Sequence, residues 1–153
     1  MTNKVPYSRS TWKDRFNRPT IDALRKELPG ESRKLFDQTR RKLLQLGDLQ
    51  DSPNWHGDSW NWTLAFNVDG NTEPAAILVP APHDLQLAVP MDREFAESLP
   101  VSRLPRAVRD GLELAREPFD TRWAIWSITS TSLVDQLVDL VERKLRGTGK
   151  RAG

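Results

Sequence analysis

Cysteine is absent from the 153 residues, which excludes disulfides, thiolate metal sites and cysteine chemistry of any kind. No apolar run approaches the ~18 residues that a membrane-spanning helix needs. The opening Met1-Thr2-Asn3-Lys4-Val5-Pro6-Tyr7 lacks the apolar segment of a secretory signal. Several chemical signatures are missing too. There is no Walker-type glycine-rich loop, no GxGxxG fingerprint, no GxSxG elbow and no HExxH pair, so the common nucleotide, hydrolase and zinc-protease routes have no sequence support and no cofactor is expected. The expectation is a soluble cytoplasmic protein with no membrane partner, large enough to bury roughly 68–70% of its unfolded surface without covalent staples.

Positive charge is almost missing from the middle of the chain. Residues 1–50 carry 12 Lys and Arg against 6 Asp and Glu, residues 51–100 carry 1 against 8, and residues 101–153 carry 10 against 7. The net charge of +2 therefore describes no single surface. A uniformly basic nucleic-acid binder would not be divided in this way. The acidic middle can pair with a basic terminus of the same chain or of a second copy, so a homodimer is one expectation.

Periodicity divides the chain into elements. Residues 1–19 are polar, basic and aperiodic, and read as an N-terminal arm that Trp12 and Phe16 can anchor. Thr20 is an N-cap for a short helix bearing Ile21, Leu24 and Leu28, stopped by Pro29-Gly30. A second helix is expected from Glu31 to Leu46, with Gly47 at its C′ position. Asp51-Ser52-Pro53-Asn54 reads as a turn. Alternation then takes over: Trp60, Trp62, Leu64 and Phe66 on one face of a strand, Asn61, Thr63, Ala65 and Asn67 on the other. Asp69-Gly70-Asn71 signals a hairpin, and Ala75–Val79 and Leu85–Val89 read as two more strands, the meander ending at Pro90. Asp92 caps a short helix through Ser98, a longer helix follows from Leu104 to Arg116, and Thr121–Ile128 forms a last strand. Ser130 caps a final helix carrying Leu133, Leu137, Leu140, Val141 and Leu145. The order ααβββααβα predicts an α+β fold: an antiparallel sheet of about four strands with helices over one face. Residues 20–146 form its single domain, and the glycine-containing 147–153 is expected to be a disordered tail.

Two segments carry a family resemblance. Trp60-Asn61-Trp62-Thr63-Leu64-Ala65-Phe66 followed by Ala76-Ile77-Leu78-Val79-Pro80, and later Asp120-Thr121-Arg122-Trp123-Ala124-Ile125-Trp126-Ser127-Ile128 with the helix after it, resemble an uncharacterised bacterial family. It is similar to the YdhG-like and YjbR-like small α+β domains. The resemblance covers residues ~20–146 by element order; the arm at 1–19 has no counterpart. It implies a fold. Some YdhG-like proteins are described as frataxin-like iron chaperones, but no metal-ligand motif carries over onto this chain.

Four constellations can carry function, each beside a plainer reading. Trp55-His56-Gly57-Asp58-Ser59-Trp60 places an imidazole and a carboxylate beside an aromatic wall, or is simply a loop entering a strand. His83 and Asp84 can join His56 in a two-His, one-carboxylate iron site, or are ordinary turn residues. The acidic residues Asp51, Asp58, Asp69, Glu73, Asp84, Asp92, Glu94 and Glu97 can draw cations diffusely, or form a solvated face. The basic helix with Arg33, Lys34, Arg40, Arg41 and Lys42, aided by Lys4, Arg9, Lys13, Arg15 and Arg18, can meet phosphates, or is a solvated face. Six tryptophans point furthest, since tryptophan joins a large apolar area to an N–H donor. Trp123 and Trp126, three apart on a strand, must face opposite sides. The leading expectation is a non-catalytic module that binds a small molecule or a protein in a cleft of Trp55, His56, Trp60, Trp62 and Trp126, with Arg122 as an anion partner. Nucleic-acid association and iron handling are the alternatives.

Overall fold

Side-chain caps set three of the helix starts. The Thr20 hydroxyl accepts from the Ala23 N–H at 3.0 Å and opens α1 (Ile21–Lys26). Pro29 precedes α2 (Gly30–Gln45), which buries Phe36, Thr39 and Leu43 and ends where Gly47 turns to φ 81°. The computed structural model describes residues 11–71, 73–113 and 122–152. After the single short turn α3 (Gly57–Trp60), Asp92 accepts from the Phe95 N–H at 2.7 Å to start α4 (Arg93–Ser98), as its position predicts. Next come α5 (Arg106–Glu113) and α6 (Thr131–Ala152), the latter opened by a 3.1 Å bond from the Leu133 N–H to Ser130 Oγ. The backbone of α6 stays helical past Gly147 and Gly149, where the composition suggests a tail.

Five strands, one more than expected, form a fully antiparallel sheet in the order β1-β2-β3-β4-β5. The extra one is β1 (Leu49–Trp55), which runs straight through the Asp51–Asn54 segment that reads as a turn. It is an edge strand, and a proline that cannot donate to the ladder is tolerated there; Pro53 sits opposite Leu64. Arg40 Nε donates to Asp51 at 2.6 Å and ties this polar edge to α2. The central strands are β2 (Trp62–Val68), β3 (Ala76–Ala81) and β4 (Asp84–Met91), followed after the helices by β5 (Arg122–Ser127). Gly70, at φ 86°, closes the β2–β3 turn that Asp69-Gly70-Asn71 announces. Pro90 does not end the meander: β4 continues to Met91, and Pro90 pairs with Trp123. Pro80 and Pro90 are each the penultimate residue of their strand, where the missing donor costs one ladder bond at most.

The register sorts the sheet into two faces. Leu64, Leu78, Leu87 and Trp126 align across β2–β5 and meet Phe36, Leu43, Phe95, Val108, Leu137 and Val141 from the helices in the main core. Ala65, Ile77, Ala88 and Ile125 align on the opposite face, where Ile77, Val79 and Ala88 form a second, smaller cluster packed against Trp60 and Trp123. Removing such side chains from water contributes roughly 25 cal/mol per Å² of apolar area. Trp60, expected in the strand with Trp62, instead ends the short helical turn α3 (Gly57–Trp60). Asn61 follows it at φ 58° and ψ −139°, a backbone conformation that only glycine adopts without strain. That kink sends Trp60 to the second face, whereas an unbroken strand would have put both indoles on one side.

Candidate functional site

Tryptophans gather where β1 ends and β2 begins. Trp55 and Trp62 are opposite in the ladder, and their rings meet edge to face at 5.7 Å. On the other side of the kink, Trp60 stands 5.1 Å from Trp123 at an interplanar angle of 75° and 6.3 Å from the His56 ring. Residues 11–14 clip this corner. The Trp12 indole donates to the Trp60 carbonyl at 3.1 Å, the Trp62 indole donates to the Asp14 carbonyl at 2.6 Å, and the Thr11 and Trp12 N–H groups bond to the Glu27 carboxylate. Trp12 thus anchors the N-terminal segment as expected. Phe16 does not: it is 83% exposed, because the bonds of Asp14 to the Phe16 N–H and the Asn17 amide close a local turn that leaves the ring outside.

His56 is the polar element of the cluster. Its Nδ1 lies 2.8 Å from Thr63 Oγ1, and the fully buried Thr63 hydroxyl in turn donates to the Asn54 carbonyl at 3.1 Å. The His56 N–H donates to the Asn61 carbonyl at 2.9 Å and the Asn61 N–H to the Gly57 carbonyl at 2.7 Å, which closes the 56–61 loop on itself. Burial pushes the His56 imidazole below its ordinary pKa, against a smaller opposing pull from the Asn54 carbonyl. It is therefore neutral at pH 7. Among the described residues no acceptor meets the indole N–H of Trp55, Trp60 or Trp123, and all three rings are half-buried.

The expected residues separate into those this corner joins and those it does not. Trp55, His56, Trp60 and Trp62 come together. Trp126 lies on the main-core face, 5% exposed, with its indole N–H donating to the Ala107 and Val108 carbonyls at 3.2 and 3.3 Å. Arg122 begins β5, and its side chain, like that of Asp58, falls outside the described residues. Trp123 joins the cluster in the place expected of Trp126. The opposite-face rule for the pair gave two options, and the Leu87↔Trp126 register selects between them.

The alternatives find less support. His83 is exposed in the β3–β4 turn, and among the described residues no three His, Asp or Glu side chains converge to hold a metal. On the basic helix, Arg33 caps the Lys26 and Leu28 carbonyls, Lys34 pairs with Glu31, Arg40 with Asp51 and Lys42 with Asp135. Only Arg41 of the five has no partner among the described residues. A shallow open groove of about 690 Å³ runs along α1 and α2, lined by Asp22, Arg25, Asp37, Arg40, Arg41, Leu44 and Gln45. Within it Arg25 Nε donates to Asp37 at 2.7 Å, and Arg40 is paired with Asp51. A single unpaired arginine is fewer than the several cations that an extended phosphate contact neutralises. Compared with protein-family models, curated proteins and solved structures, the chain matches none.

Proposed function

We propose that this chain is a non-catalytic binding module, and that the shelf of His56, Trp60 and Trp123 on the second face of the sheet receives a small planar, partly apolar molecule. One observation carries the reading: two half-buried indoles held edge to face stand beside a neutral imidazole, with both indole N–H groups unmet among the described residues. Aromatic faces supply apolar area, and unpaired N–H groups supply direction. The shelf is also braced from below. Thr63 fixes the His56 ring, Trp12 holds the Trp60 backbone, and Ile77 and Ala88 support Trp60 and Trp123. Little ordering is left to be done on binding, which favours affinity.

A thermal-shift screen of the full chain against planar metabolites tests it. A ligand that binds only the folded state at 100 times its Kd stabilises by about 2.7 kcal/mol. A rise in Tm of several degrees with at least one compound, lost in Trp60→Leu and Trp123→Leu variants whose far-UV circular dichroism is unchanged, is the expected result. A shift that survives in both variants, or none with any compound, would defeat the proposal.

A further inference from the structure

The hydrogen-bond chain behind His56 fixes which of its ring nitrogens faces a ligand. Thr63 has one hydroxyl hydrogen, and it is directed to the Asn54 carbonyl at 3.1 Å. Toward His56 Nδ1, at 2.8 Å, Thr63 Oγ1 then has only lone pairs to offer, so Nδ1 must be the donor. With Nδ1 protonated, a neutral imidazole carries its lone pair on Nε2. No group among the described residues bonds to Nε2, and Trp60 lies alongside.

We infer that His56 Nε2 is a preset hydrogen-bond acceptor, and that this shelf selects planar ligands bringing an N–H or O–H donor over analogues that present only acceptors. This rests on the binding reading above and names the ligand class for it. A donor at Nε2 completes the chain ligand–His56–Thr63–Asn54 in one direction, each hydrogen pointing toward the Asn54 carbonyl. An acceptor-only ligand would set a lone pair against a lone pair in a half-buried site and leave Nε2 desolvated and unpaired. His56 is a selectivity residue here and performs no chemistry.

The test uses the full chain with ¹⁵N-labelled histidine and tryptophan, and two matched probe pairs: phenol against anisole, and indole against N-methylindole. In the free protein at neutral pH, His56 Nδ1 is expected to resonate as a protonated ring nitrogen and Nε2 as an unprotonated one. The reverse assignment overturns the inference. On titration, phenol and indole are expected to shift His56 Nε2 and the Trp60 and Trp123 indole signals at about tenfold lower concentration than their methylated partners, the ratio one hydrogen bond of about 1.4 kcal/mol supplies. A His56→Phe variant keeps the ring and lacks Nε2, and is expected to bind both members of each pair alike. Equal response within each pair on the unaltered protein refutes the donor selection while leaving the aromatic shelf standing. No response of Trp60 and Trp123 to any of the four probes overturns the binding reading itself, and the donor selection with it.

Discussion

Lys144 ties α6 to the sheet, and that tie should make the protein more stable at alkaline pH. Its Nζ donates to the Ala75 carbonyl at 3.2 Å and the Pro90 carbonyl at 2.5 Å, bridging the start of β3 and the end of β4. Burial lowers its pKa from the ordinary 10.5 to about 8, and the Glu73 and Asp92 carboxylates only partly resist that fall. The native state therefore releases this proton near pH 8, while the unfolded chain holds it until about 10.5. Between those values the unfolded chain binds more protons, so stability rises with pH across that window. A shift of about 2.5 units gives a total of about 3 kcal/mol, all of it gained above pH 8. Deprotonation costs no hydrogen bond, because a neutral amine keeps two N–H donors for the two carbonyls. Lys144→Met removes the titration and both donors together. Near pH 7 those losses offset each other, since the variant is spared the buried charge but leaves two carbonyls unmet. Near pH 10 the variant keeps only the loss. Urea unfolding followed by tryptophan fluorescence at about pH 7, 8, 9 and 10 measures this, and the difference between the two proteins is the quantity to read, as other groups titrate in both. The wild type is expected to gain on Lys144→Met by about 2.5 kcal/mol across the series, which ends short of the unfolded pKa. Parallel curves would refute the reasoning, and a wild type losing ground above pH 8 would reverse its sign.

Other substitutions probe other parts of the structure. Gly111 faces the Trp126 indole so closely that a Cβ there would overlap the ring; Gly111→Ala should cost about 1–3 kcal/mol by overpacking, seen as a fall in the urea midpoint with unchanged slope. At Asn61, a β-branched residue suits neither the positive φ nor the 56–61 loop. Asn61→Val should therefore lose about 1–3 kcal/mol, whereas Asn61→Gly should match or exceed the wild type in Tm. Arg40→Ala strips the largely buried Asp51 of its partner, so the stability loss should be near 1 kcal/mol and hydrogen exchange should quicken first in β1.

Three helix starts were legible because each depends on one residue and its neighbour three positions on: Thr20, Asp92 and Ser130 cap as their side chains predict. The alternation of β2 was legible for the same local reason, and β3 and β4 were legible as short apolar runs bounded by turn residues. β1 was not, because Gln50, Asp51, Ser52, Pro53 and Asn54 have no apolar alternation, and the segment is a strand only by pairing with β2 and bonding to α2. Trp60 departs from the alternating pattern because alternation assumes an unbroken backbone, and nothing local to Asn61 announces a positive φ except that asparagine tolerates one. Of the site, Trp55, His56, Trp60 and Trp62 are close in sequence and remain close in space. Trp123 comes from sixty residues away, and its place beside Trp60 depends on the register of β4 and β5. The acceptor nitrogen of His56 depends on Thr63, seven residues on, and so on the β1–β2 pairing.

The sequential strand order also bears on how the chain folds. Every neighbouring pair from β1 to β4 is joined by a short connection, so these four strands can assemble by successive local closures, each with a small loss of chain entropy. β5 must come back to β4 across residues 92–121, bringing Trp123 to Trp60 and Trp126 to the helices only when that longer loop closes. Shortening Ile77 to valine should accordingly slow refolding, whereas Ile125→Val should chiefly speed unfolding in stopped-flow measurements, and the opposite pattern would show that β5 docks early. The proposed binding shelf would then be among the last parts of the molecule to form and the first to open.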